Sequence, residues 1–305
     1  MKAANKIRQS TEDKVVNIVA AAIAILLIVI SIYPLYYCLI ASLSDGKISL
    51  GRPMYLFPMA PTLDNYRMVF EDPMLWQSTL MTVLRTVVGT VTGTAFTALV
   101  AYPLSKDNLR FHKFYSVVFI ITMYFGGGVI PQYLVYLQYG IVNTFWVYIL
   151  PALMNVFNLM LCINFFRDIP KEIIEAARID GVGEYGMLSK IIFPLSKPII
   201  ATLALFTGVN HWNDWFMTAY FTTSDSLSTL PAVLMRLVTS TDAQTKINQM
   251  LLNSSATITI NLNQGPTAES IRYATMLVSI LPIIAVYPFI QKYFEKGVMI
   301  GAVKA

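Results

Sequence analysis

Residues 165–198 read FFRDIPKEIIEAARIDGVGEYGMLSKIIFPLSKP, the most charged stretch of the chain. Pro170 suits the start of a helix, where its missing N–H costs nothing. Lys171 to Ile179 then forms a short amphipathic helix, with Ile173, Ile174, Ala177 and Arg178 spread around it. Gly181 and Gly183 end it and permit a sharp turn, and a second helix runs from Glu184 to Pro194. Apolar segments flank this helix–turn–helix on both sides, so it has little reason to exist for packing alone. Its small residues Ala176 and Ala177 invite close approach by another surface, and Glu175 adds a charge that a partner can pair.

The flanking segments set the solvent. Hydrophobic residues make up 56% of the chain, charged residues 13%, and the mean hydropathy is +0.59. A soluble globule averages roughly 45–50% apolar and about 25% charged, so the natural solvent here is a bilayer. A helix needs about 20 apolar residues to cross the hydrocarbon core. Six segments meet that length, at about Val15–Leu43, Trp76–Leu104, Phe114–Tyr139, Thr144–Phe166, Pro198–Phe221 and Tyr273–Tyr293. The expected fold is therefore an all-α membrane protein, a single transmembrane domain over residues 1–305. Its first span is read as a retained anchor, because it is too long for a signal-peptide core and no small-residue cleavage site follows. Long connections fall at about Ser44–Leu75 and Thr222–Arg272 on the outside, with Arg167–Lys197 on the inside.

Basic residues orient these spans. With the N-terminus in the cytoplasm, fifteen Lys and Arg lie on inner segments and six on outer ones; Arg85, within a span, completes the total of 22. The larger outer loops hold the smaller number, which places both termini inside. The net charge of +5 is thus mostly a topology signal facing the cytoplasm, and no nucleic-acid partner is implied. Cys38 and Cys162 sit in apolar runs as small hydrophobes, and neither cysteine nor histidine spacing suggests a metal site. An enzyme would need a nucleophile, a carboxylate pair or metal ligands within the spans; Asp214 stands alone in sequence. A secondary transporter would show inverted repeats or several buried ionisable groups. Neither class fits.

The cytoplasmic loop resembles the EAA loop of ATP-binding cassette (ABC) importer permeases: Glu-Ala-Ala, three residues, Gly, nine residues, then Ile-x-Leu-Pro. Glu175, Ala176, Ala177, Gly181, Ile191 and Pro194 match, and Phe193 stands where Leu is usual. The extension through Asp180 and Gly181 resembles the carbohydrate, MalG-like branch. So do PTLDNY at 61–66, AYPLSK at 101–106, GGGVIPQYL at 126–134 and EKGVMIGAVKA at 295–305. The resemblance implies a type I importer permease of the bacterial plasma membrane, moving a carbohydrate by alternating access. Its partners would be a second, MalF-like permease, two ABC ATPases and an extracytoplasmic solute-binding protein. It implies that Glu175, Ala176, Ala177, Asp180 and Gly181 dock on the ATPase. ATP and Mg would belong to that partner, since this chain has no Gly-x4-Gly-Lys-Ser/Thr loop and is expected to bind no cofactor of its own. A permease for a peptide or an ion would share the same loop and is the nearest alternative.

Four further features have two readings each. Arg85 is costly within a span unless paired or facing water; it either lines the pathway or holds a neighbouring carbonyl. Gly89 and Gly93, in GxxxG spacing, point to close helix packing, with the second permease as one candidate partner; a substrate role is the alternative. Gly126–Gly128 and Pro131 break the third span, which a membrane tolerates where protein or a watery cavity satisfies the backbone. In GVNHWNDWF (208–216), Trp212 and Trp215 read as interfacial anchors; alternatively, with His211, Asn213 and Asp214, they line a sugar pathway. The outer loop carries an apolar patch at Leu230–Val238 that reads as part of a docking element.

Overall fold

The computed structural model describes residues 11–49, 51, 56–236, 239, 266–267, 269–282 and 284–285. It is helical, and its residues fall into two contact units: Met1–Glu71 with Thr241–Val278, and Asp72–Ser240 with Ser279–Ala305. In the first unit, helix α1 (Thr11–Ser42) is almost fully exposed along its apolar length, with a mean hydropathy of 3.0 over its best window. A surface that greasy is stable only against lipid or another apolar partner. Helix α2 (Asp64–Glu71) is tied to the end of α1 by Asn65, which is fully buried. The Asn65 amide donates to Ser42 O at 2.7 Å and Ser44 O at 2.8 Å, and its carbonyl accepts from Ser270 Oγ at 2.7 Å.

The second unit is built around α3 (Pro73–Leu104). Asp72 starts α3 by accepting from Met74 N at 2.8 Å, with Pro73 at the first helical position, where it costs no hydrogen bond. Against α3 pack α6 (Val156–Arg167) and α9 (Lys197–Asn213). The third span read from sequence is two helices, α4 (His112–Tyr124) and α5 (Val129–Gln138), which meet at 117°. The turn falls at Gly126–Gly128, where Gly128 has φ +81, a region open to glycine without a Cβ penalty. In the fourth segment, Trp146–Ile149 and α6 are separated by turns around Pro151. The fifth runs as α9, breaks at Asp214, and resumes as a short helix, Phe216–Phe221. Among the described residues two helices, Lys14–Ser42 and Pro73–Leu104, are long and apolar enough to cross a membrane unbroken. The final span is described only through residue 285, and the basic N-terminal residues and the tail GVMIGAVKA lie outside the described residues.

The loop at 167–197 folds as its sequence predicts into α7 (Lys171–Ile179) and α8 (Glu184–Leu195), and α8 meets α9 at 83°. Within α8, Met187–Ile192 winds as a π-helix. Ala177, Met187, Leu188 and Ile192 join Ala98, Tyr102, Leu159, Phe166 and Leu203 in one buried cluster. The loop is therefore not a solvated strap: its inner face is part of the core of the second unit.

Two expectations change. Gly89 and Gly93 face α9 of the same chain instead of a second subunit. A Cβ on Gly89 would collide with the His211 ring, and one on Gly93 would lie 3.3 Å from Thr207 Cγ2. Close approach of two spans within the chain is what the small residues permit. The described part of the apolar patch, helix 230–236, also turns inward, with Leu230, Ala232 and Val233 buried.

Candidate functional site

Two places concentrate polar chemistry, one on the loop at 167–197 and one between α3 and α9. On the loop, α7 closes with paired bonds: Gly181 N donates to Arg178 O and Val182 N to Ala177 O, both at 3.0 Å. That pattern is a Schellman cap, and it requires the left-handed φ of +78 found at Gly181. The cap explains the glycine of the motif without any partner. Of the other motif residues, Glu175, Ala176 and Asp180 are exposed, whereas Ala177 is only 6% exposed and sits in the core. Ala177, one of the residues expected at the ATPase contact, packs its side chain into the protein's own core. Beyond the motif, Ile179 and Tyr185 are each 88% exposed, large apolar side chains left bare beside the capped turn.

The loop is also pinned electrostatically at both ends of α7. Lys171 Nζ meets Asp107 Oδ2 at 3.1 Å. At the other end the Glu184 carboxylate gathers Lys106, the Tyr102 hydroxyl at 2.5 Å and Arg178 at 3.8 Å. The Lys106 ammonium, then the Tyr102 hydroxyl, holds the Glu184 carboxyl below its ordinary range; Lys171 does the same for Asp107. Both pairs link the loop to the segment that follows α3. Sequence spacing gives no hint of them, because the partners lie 78 and 64 residues apart.

Between the spans, Arg85 is 1% exposed, roughly 18 Å along α3 from its start at about 1.5 Å per residue. Its Nη1 donates to the backbone carbonyl of Asp214 at 2.8 Å, and Nη2 pairs with the Asp214 carboxylate. Tyr148 covers the guanidinium at 4.5 Å from Cζ to the ring centroid. Asp214 is therefore not alone: its partner is a residue 129 positions away. Of the two sequence readings of Arg85, the carbonyl is the one it holds, at the point where α9 breaks. The other Asp214 oxygen, Oδ1, accepts from Met217 N at 3.1 Å, starting the next helix. Tyr148 donates onward to Leu227 O at 2.6 Å, so the pair is embedded in a network reaching residue 227.

Arg85, His211 and Asp214 line a cavity of about 330 Å³. Sequence reading missed its other polar walls: the amides of Gln132, Asn155, Asn158 and Asn210, and the hydroxyls of Thr97, Thr207 and Tyr136. The one available signal was amides scattered through segments otherwise apolar. Trp212, Asn213 and Trp215 do not line this cavity. Trp212 is buried and donates Nε1 to Ser279 O at 3.2 Å, Asn213 is exposed, and Trp215 packs edge-on against Phe216.

Residues 73–300 match the family described as the binding-protein-dependent transport system inner membrane component. The chain belongs to this family. This inner membrane component is 37% identical over 275 residues to Protein LplC of Bacillus subtilis (strain 168), covering 90% of each chain. It is 35% identical over 277 residues to the polygalacturonan/rhamnogalacturonan transport system permease protein YtcP of the same organism, covering 90% of this chain and 93% of that one. Its fold is similar to a chain of a bacterial ABC transporter involved in the import of the acidic polysaccharide alginate. The TM-score is 0.82 at 29% identity, over 95% of this chain and 100% of the other.

Proposed function

We propose that this chain is a transmembrane permease subunit of an ABC importer for an oligosaccharide, and that it converts movement of a docked ATPase into alternating access. The observation that carries the reading is the two-sided α7. Its inner face is locked into the core through Ala177, its outer face leaves Glu175, Ala176 and Ile179 bare, and Asp180 and Tyr185 stand exposed just beyond its end. A helix gripped inside and free outside passes rigid-body displacement from a partner to the spans. Such a displacement needs a partner with different affinities for the two states, and ATP bound by the ATPase subunits would supply that difference. The sugar class is supported by the relatives' own substrates, a galacturonan and an alginate. Six spans with both termini in the cytoplasm, a second permease and an extracytoplasmic solute-binding protein complete the proposal. The chain is taken to be non-catalytic, with ATP and Mg held by its partners. A permease for a peptide or an ion is the alternative reading, since it would share the loop.

Affinity purification from detergent should bring down a second permease and two ATPase copies. In that complex Glu175→Lys should reduce sugar-stimulated ATP hydrolysis and uptake several-fold while the protein stays in the membrane. Unchanged stimulation in the Glu175→Lys complex would show that α7 is not the coupling surface. Active transport by the purified chain without partners would overturn the whole reading.

A further inference from the structure

The cavity between α3, α5, α6 and α9 carries a charge balance that bears on what it can hold. Its described lining contains one cation, Arg85, and one carboxylate, Asp214, and their charges neutralise each other, although the buried Arg85 Nε has no hydrogen-bond partner among the described residues. The second carboxylate oxygen is taken by Met217 N, and Tyr148 covers the guanidinium face. What faces the open volume is uncharged: four amides from three elements, threonine and tyrosine hydroxyls, and His211. An amide both donates and accepts, and so does a sugar hydroxyl, so alternating amides and hydroxyls match a ring that carries several such groups. Tyr136 adds an apolar ring face to the same wall. At about 330 Å³ the volume is at the lower end for small-ligand sites, which begin near 300 Å³; it suits a single ring and not a chain. A carboxylate placed here would find, as the cation among the described lining residues, only Arg85, whose charge Asp214 already neutralises, and burying an unpaired charge is strongly unfavourable.

We propose that this cavity is a subsite for one uncharged sugar ring, and that the Arg85–Asp214 pair tunes it against uronates by neutralising the one cation within reach. The subsite rests on the permease reading and narrows it: any acidic unit of an imported oligosaccharide is accommodated elsewhere along the path. Asp214 is then a specificity-determining residue acting through Arg85, and the amides of Asn158 and Asn210 are direct ligands to the ring.

The test uses the complete importer, purified with its partner subunits and freed of the solute-binding protein. Binding of galactobiose is compared with binding of digalacturonate, which differs by the C6 carboxylates, using titration calorimetry. The wild-type complex should bind galactobiose at least about tenfold more tightly, the discrimination expected when a charge is buried without a partner. Asn158→Leu with Asn210→Leu should weaken galactobiose about tenfold, from two lost hydrogen bonds. Asp214→Asn frees the guanidinium and should reverse the preference, so that digalacturonate binds better; loss of stability alone would not produce a reversal. Equal binding of the two probes, tighter binding of digalacturonate by wild type, or binding of neither overturns the proposal. So does an assembled Asp214→Asn complex whose preference is unchanged. Should Asp214→Asn fail to assemble, an unchanged galactobiose affinity in the asparagine double variant overturns it and a tenfold loss supports it. ATP-driven uptake by the same preparations separates the two levels: intact uptake with no probe preference removes the subsite and leaves the permease standing.

Discussion

A double-mutant cycle on Arg85 and Asp214 tests the architecture between the spans. The guanidinium is buried, and Nη1 and Nη2 both bond one residue, at the Asp214 carbonyl and carboxylate, while Nε has no partner among the described residues. Removing one member of a buried pair strands the other charge, at a cost of about 3–5 kcal/mol, whereas removing both is often close to neutral. At about 1.4 kcal/mol per decade, each single variant loses roughly two to four decades in the ratio of folded to unfolded protein. The two singles should not be equal. Asp214→Asn keeps the backbone carbonyl and the Tyr148 face for Arg85. Arg85→Met leaves the carboxylate with only Met217 N and releases the carbonyl at the helix break, so it should be the more damaging. The double variant should cost far less than the sum of the two singles, giving an interaction of at least about 3 kcal/mol. The assay is unfolding by SDS in mixed micelles, followed by tryptophan fluorescence; Trp212 and Trp215 flank the pair in sequence. If the double variant simply sums the two singles, the pair is not a closed electrostatic unit and the charge-balance argument for the cavity fails with it.

Neighbouring alanines of α7 should behave oppositely. Ala177→Leu overpacks the buried cluster and should cost about 1–3 kcal/mol in the same unfolding assay; Ala176→Leu should leave stability within about 0.5 kcal/mol yet lower ATPase-coupled uptake, and equal destabilisation by both would contradict the two-faced helix. Acid should release the loop only at low pH. Glu184, held by Lys106 and Tyr102, titrates below its ordinary value of 4.5, so its contribution is fully present above that value and is lost as the pH falls through the lowered one. Hydrogen exchange across residues 178–190 should stay constant from pH 8 to about pH 5, after correction for intrinsic rates, and rise below it; a rise near pH 6 would assign the anchorage to another group.

Local chemistry made the loop legible in the sequence. Pro170, the amphipathic run and Gly181 act within a few residues of one another, so a helix over Lys171–Ile179 and its stop could be read directly, and the structure places both there. The direction in which each alanine points could not, because Ala176 and Ala177 differ only in what lies across from them. The apolar helices were likewise readable from hydrophobic length, while the breaks at Gly126–Gly128 and Asp214 depend on backbone satisfaction supplied from elsewhere. Arg85 shows why: its cost within a span announced a partner, but the partner sat 129 residues on, and periodicity carries no information at that distance. Gly89 narrows the choice after the fact. It is the glycine that lets α9 bring His211 against α3, and the same approach carries Asp214, three residues further along, into reach of Arg85, four residues back. A sequence that sets a glycine one helical turn from a buried arginine on one span, and a helix-breaking acid beside a histidine on another, is written for that crossing. The amides around the cavity then follow, since two spans joined there leave polar walls that only each other, water or a polyhydroxylated ligand can satisfy.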